Sequence, residues 1–349
     1  MKKIVTLVAL LACFSLSSVA QRLMQCRGAV KGSYNFWFYS PGEKNFITTE
    51  REGDKPLVVF LHGASLCGNN MDRVRRYGTI HALEKGLDLD AYVVAPQNSG
   101  GAWNPKKLWK IVEWAKSICP IDDNRIYVFG MSLGGYGAID FANAYADKIA
   151  ATIAMCGGGT GNNFDNLSQM PLWLIHGTAD RAVGLEQSAR IARAVGDKRM
   201  QFTKLRGGNH GTPARIFYMK KAYDWLFEHR LDDEDRPICH GYDINMSDIR
   251  NAYAGLDMGR SGGGLKTTIW RPDTFGFNLD PGFEPASIDP AQVNQDEDTP
   301  RRKVFHKIRK GETLAVLAKR YHTTVDKLCK LNKLKKTSRL DIGQKVRVK

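Results

Sequence analysis

The chain has 349 residues, 43% of them hydrophobic and 25% charged, which excludes disordered and collagen-like proteins and leaves room for two domains. Its net charge of +15 is uneven: residues 1–230 carry 29 basic and 19 acidic side chains, 231–300 carry 5 and 14, and 301–349 carry 17 and 3. A tail this basic predicts an anionic partner.

The first twenty residues place Lys2 and Lys3 before an apolar run and finish on Ser18-Val19-Ala20, the small-x-small pattern of a signal-peptide cleavage site. The run is too short to span a bilayer, so export to the periplasm or cell surface without a transmembrane span is expected. Leu10-Leu11-Ala12-Cys13 offers a second reading, a lipoprotein box with Cys13 as the lipidated first residue. Beyond this leader stand Cys26, Cys67, Cys119, Cys156, Cys239 and Cys329, widely spaced and without a CxxC pair or Cys/His cluster. They leave disulfide pairing open and predict no metal site.

From 21 to 230, short apolar runs alternate with amphipathic stretches, which predicts an α/β domain with a mainly parallel sheet. Strands are expected over 34–39, 57–61, 91–95, 125–129, 150–155, 172–175 and 201–205, and helices over 106–117, 135–146, 185–195 and 212–229. Residues 231–302 lose this period, open on Asp232-Asp233-Glu234-Asp235 and contain Ser261-Gly262-Gly263-Gly264, as an acidic linker would. Trp270, Phe275 and Phe277 within it predict that part of the linker docks on a domain surface. Residues 303–349 read as a small βααβ unit, with strands over 304–308 and 345–348 and helices over 313–321 and 325–331.

The strand over 125–129 runs directly into Gly130-Met131-Ser132-Leu133-Gly134-Gly135 and then a helix, the context of a nucleophile elbow. A serine hydroxyl is a weak nucleophile and needs an imidazole to take its proton and a carboxylate to orient that imidazole. In the order that this elbow demands, Asp180 follows Ser132 by 48 residues and His210 follows Asp180 by 30, each just past a predicted strand. Asp180 could otherwise cap the next helix, and His210 could be an ordinary loop residue. An oxyanion hole needs two backbone N–H groups; Leu133 supplies one, and Ala64, after Leu61-His62-Gly63, the other, with Ser65 as the alternative. His176, inside its strand end, reads as structural. The glycine run 157–161 lacks the Gly-Lys-Ser/Thr of a phosphate loop, so no cofactor is expected.

The runs VVFLHG, IDDNRIYVFGMSLGGYGA, PLWLIHGTADRAV and GGNHG make residues 33–230 resemble the α/β-hydrolase superfamily, in particular secreted feruloyl and acetylxylan esterases and polyhydroxybutyrate depolymerases. That resemblance implies a serine esterase with Ser132 as nucleophile, Asp180 as acid and His210 as base. Peptidases share the same motifs, so ester and peptide chemistry both stay open. By the same analogy Trp103, in QNSGGAWNP, and Met131 would line the substrate cleft, Trp103 as a platform for a sugar or aryl ring.

The run FHKIRKGETLAVLAKRYHTTVDKLCKLNKL, followed by LDIGQKVRVK, is similar to a LysM domain. Such domains bind glycans containing N-acetylglucosamine, so the resemblance implies peptidoglycan or a related glycan as partner. Gly311, Glu312, Thr313 and Leu314 would lie on one side of the groove and Leu334, Lys335 and Lys336 on the other. Nucleic acid is not expected, because no aromatic stripe or recognition helix accompanies the basic charge. The combined expectation is an exported esterase of acylated carbohydrate held on wall glycan; the alternatives are a peptidase of the same fold or a wall-binding protein with an inactive hydrolase domain.

Overall fold

The computed structural model describes residues 21–42, 54–259 and 265–270, together with 305–307, 313–314, 317–318, 324–332, 334, 338, 340 and 344–347. The expected leader, 1–20, lies outside them. Two units separate along the chain, Met1–Phe283 and Glu284–Lys349.

In the first unit, β1 (Arg22–Cys26), β2 (Asn35–Ser40), β3 (Lys55–Leu61), β4 (Tyr92–Gln97), β5 (Ile121–Met131), β6 (Ala151–Met155), β7 (Leu172–Gly177), β8 (Met200–Leu205) and β9 (Lys266–Ile269) build one sheet. Its order is β8-β7-β6-β5-β3-β4-β2-β1-β9. Strands β3 to β8 run parallel, and β2 is antiparallel to both β4 and β1. Because β4 and β5 flank β3, the winding direction reverses there, and a crevice opens at the carboxyl ends of β3 and β5.

Both faces of the sheet are covered, so its central strands are continuous apolar runs, such as Leu57 to Leu61. Pleating splits each run between two cores: Val58 and Phe60 face one, Leu57, Val59 and Leu61 the other. Helices α2 (Pro105–Ile118), α3 (Leu133–Ala144) and α4 (Glu186–Val195) close the second core through Leu108, Phe141 and Ile191. Helices α1 (Thr79–Glu84) and α5 (Lys220–Phe227) close the first through Ile80, Leu83, Trp225 and Leu226. Helix α2 starts where it does because the Asn104 side chain accepts the Lys107 N–H at 3.1 Å and Pro105 takes the first helical position.

The helix expected over 212–229 is two elements, a 3₁₀ turn Thr212–Tyr218 and α5, parted at Met219 by extended backbone. Apolar spacing runs through both because each buries the same side, with Ile216 and Phe217 in one element and Tyr223 and Trp225 in the other. The acidic stretch also differs from a free connection. Ile238, Ile244 and Ile249 enter the first core, and α6 (Met246–Arg250) begins at a capping box between Asn245 and Asp248. Arg236 donates to the carbonyls of Ala146, Ile149 and Ala150. Strand β9 extends the sheet beside β1, and Trp270 packs edge-on against Trp114 at 5.8 Å. Phe275 and Phe277 lie outside the described residues.

In the second unit, β10 (Phe305–Lys307) pairs antiparallel with β11 (Lys345–Arg347). Leu314, Leu317, Ala318, Leu328, Cys329 and Val346 form its core. The helix Val325–Asn332 is tied to β11 by Asn332, whose side chain donates to the carbonyls of Leu328 and Arg347 and accepts the Arg347 N–H.

Candidate active site

Strand β5 passes into α3 through Ser132, which has φ 59° and ψ −121°. Such a conformation costs a residue with a side chain about 1–3 kcal/mol and persists only where the surroundings dictate it. Here the Ser132 N–H donates to the Met155 carbonyl at 2.8 Å, and the Ser132 carbonyl accepts the Tyr136 N–H at 3.0 Å. Helix α3 is pressed so tightly on β3 that a Cβ on Gly134 would lie 1.9 Å from the Leu61 carbonyl oxygen. The serine side chain is thereby presented at the carboxyl end of the sheet, at the crevice set by the strand order.

Loops following β7 and β8 bring two further groups to it. His210 Nε2 lies 2.9 Å from Ser132 Oγ, and His210 Nδ1 lies 2.7 Å from Asp180 Oδ2. Since Nδ1 faces a carboxylate, it carries the ring proton, and Nε2 is left to accept from the serine hydroxyl. The Asp180 side chain is fully buried, whereas that of His210 is 29% exposed. Burial pushes the Asp180 carboxyl up, but hydrogen bonds from His210, Val183, Cys156 and Ala182 outweigh it and hold the group below the usual carboxylate range. A hydroxyl bonded to an imidazole, itself bonded to a buried carboxylate, is the arrangement that makes serine nucleophilic.

The loop after β3 closes over the serine from the other side. A Cβ on Gly63 would sit 3.3 Å from Ser132 Cβ and 3.3 Å from the Met131 carbonyl, so the approach depends on a glycine. The Ala64 N–H next to it and the Leu133 N–H next to Ser132 have no acceptor among the described residues. His62 locks this loop: its Nε2 accepts the Asn98 N–H at 3.0 Å and its Nδ1–H donates to the Gly63 carbonyl at 2.8 Å. Burial pushes the His62 imidazole down to about 4, which keeps this tautomer neutral.

Two expected cleft residues are core residues instead. Trp103 is 4% exposed, packed edge-on against His62 and Tyr34 over the bare backbone of Gly137, so its ring offers no platform. Met131 is 5% exposed and belongs to the first core, because strand alternation turns it away from Ser132. In the second unit, Gly311, Glu312, Lys335 and Lys336 lie outside the described residues. Thr313 is exposed, but Leu314 is a core residue at 5% exposure and Leu334 packs against that core.

Sequence reading gave no role at the site to His176 or Cys156. His176 Nε2 lies 3.3 Å from Asp180 Oδ2, and the Cys156 thiol, pushed up to about 12 chiefly by burial, stays protonated and bonds the same carboxylate. Their donor atoms lie within 4.8 Å of one another, the one cluster of metal-ligating groups among the described residues. A cation there would have to take Asp180 from His210.

The sheet order, the lone reversal at β2 and the serine at a strained strand-to-helix turn define the α/β-hydrolase fold. In the second unit, residues 306–349 match the LysM domain model. No curated protein matches the chain. Among solved structures it is similar to a thermostable esterase, at 23% identity over 60% of this chain and 63% of that one, with a TM-score of 0.47. It is also similar to the fluorophosphonate-binding serine hydrolase FphF of Staphylococcus aureus, at 17% identity over 61% and 99%, TM-score 0.45. A third is the feruloyl esterase module from Clostridium thermocellum, at 13% identity over 57% and 86%, TM-score 0.44. The chain spans less than two thirds of the thermostable esterase and 44% of the Pyrococcus horikoshii acylaminoacyl peptidase.

Proposed function

We propose that this protein is a serine hydrolase of acyl esters on carbohydrate, exported by residues 1–20 and held on peptidoglycan or a related N-acetylglucosamine glycan by its LysM domain. The observation that carries the reading is the continuous hydrogen-bond chain from Asp180 through His210 to Ser132 Oγ. Ser132 Oγ attacks the ester carbonyl while His210 Nε2 takes its proton, and Asp180 stabilises the imidazolium. The developing oxyanion is received by the N–H groups of Leu133 and Ala64, where each donor is worth on the order of 3 kcal/mol. His210 then protonates the leaving alcohol, and water hydrolyses the acyl-Ser132 intermediate by the reverse sequence.

Ser132→Ala should lose at least about a thousandfold of p-nitrophenyl ester hydrolysis with little change in Tm. Retention of activity in that variant would overturn the reading. A panel of acetyl esters, feruloyl esters and peptide amides then separates esterase from peptidase. Truncation near Asp298 should abolish sedimentation with insoluble peptidoglycan and leave turnover of a small soluble ester unchanged. Binding that survives about 0.5 M salt and is competed by chito-oligosaccharide supports groove recognition over charge alone.

A further inference from the structure

His176 lies at the end of β7, four residues before Asp180, with its side chain fully buried. Its Nε2 is 2.9 Å from the Val183 carbonyl and 3.3 Å from Asp180 Oδ2, two acceptors and no donor, so it carries a proton. Burial lowers the imidazole below its ordinary range, and Nδ1 lies 2.8 Å from Ser188 Oγ of α4, whose hydroxyl donates to the Gly157 carbonyl at 2.7 Å. The ring is thus fixed from both sides. Val183, which receives the proton of His176, gives its own N–H to Asp180 Oδ1 at 2.9 Å. His176 thus bonds Val183, Val183 bonds Asp180, and Asp180 Oδ2 stands 3.3 Å from His176 Nε2, so the three close around the turn that carries the acid.

We propose that His176 is a positioning residue for the hydrolysis: its Nε2–H holds the Asp180 carboxylate and the 180–183 turn so that Oδ2 points at His210. One carboxylate then serves two histidines, and only His210 reaches the serine. This rests on the reading of Ser132, His210 and Asp180 as the reacting set. The titratable groups facing His176 are Asp180, His210 and Cys156 at the end of β6; Ser188 and the Val183 carbonyl complete its surroundings.

The test compares His176→Phe, which deletes the donor, with His176→Gln, whose amide N–H reaches the position of Nε2. With one donor fewer, Asp180 becomes a stronger partner for the His210 imidazolium but a worse-held one. In His176→Phe, kcat should fall about tenfold with KM nearly constant, and the acidic limb of kcat/KM should move up by about half a pH unit or more. His176→Gln should recover most of both. The second readout is the downfield NMR signal of the His210 Nδ1 proton, identified by its loss in His210→Ala. It should shift in the Phe variant and return in the Gln variant. If His176→Phe does not fold, His176→Asn, whose amide is too short to reach Asp180, takes its place. An unmoved pH limb and an unmoved proton signal overturn the proposal. Activity in Ser132→Ala would instead remove the catalytic reading, and the proton signal would still decide whether His176 holds Asp180 on His210.

Discussion

The two units hold their geometry by opposite means. In the first, a nine-stranded sheet packed on both faces fixes the backbone so firmly that Ser132 keeps a left-handed conformation and α3 rests on β3 with no room for a single methyl group. In the second, six buried side chains make the core among the described residues, and the amide of Asn332 does for β11 what a neighbouring strand would do. Strain is tolerated where many contacts dictate one position. A small module has no such surplus and depends on a few well-aimed hydrogen bonds.

The sharpest way to break this contrast is to add one methyl group at the tight contact. Gly134→Ala drives a Cβ into the Leu61 carbonyl and should cost more than about 3 kcal/mol in urea unfolding, with loss of ester turnover. Gly184→Ala, where a Cβ meets nothing, should be nearly neutral. In the second unit, Leu328→Ala should cost about 2–4 kcal/mol and Asn332→Ala about 1–3 kcal/mol, both read in urea unfolding.

A smaller effect follows pH. His62 is depressed to about 4 in the folded chain from an ordinary 6.5, so the unfolded chain binds its proton more readily between those values. Its contribution to stability is fully present above about 6.5 and is lost as pH falls towards 4. His176 and His229, lowered chiefly by the same burial, add to the slope. Tm measured against pH should therefore fall on acidification, and His62→Gln should flatten part of the fall. The smallest effect is expected at Arg230, which is partly exposed and bridges Asp122 at 2.9 Å; Arg230→Gln should change stability by less than about 1 kcal/mol.

What was legible in the sequence is what local pattern encodes. Apolar runs bounded by turn residues mark the parallel strands, and Ser132, Asp180 and His210 stand out because each follows such a run in the order the elbow requires. Strand β1 and the edge strand β9 beside it were not legible: β1 precedes the alternating apolar pattern, and β9 is a short, fully exposed run recognised only by its partner. The roles of His176 and Cys156 were hidden for the same reason, since both act through contacts with Asp180 that no spacing records. Trp103 misled because its loop borders the crevice while the missing side chain of Gly137 lets the indole sink into the core.

The proposed reaction puts the acyl group on Ser132. The most direct measurement mixes the protein with a slowly deacylating p-nitrophenyl ester, quantifies the p-nitrophenol burst and maps the adduct by peptide mass spectrometry. One equivalent of p-nitrophenol with a single acyl group on Ser132, and neither in Ser132→Ala, is the predicted result. An acyl group mapped to any other residue, or steady turnover by Ser132→Ala, would contradict it.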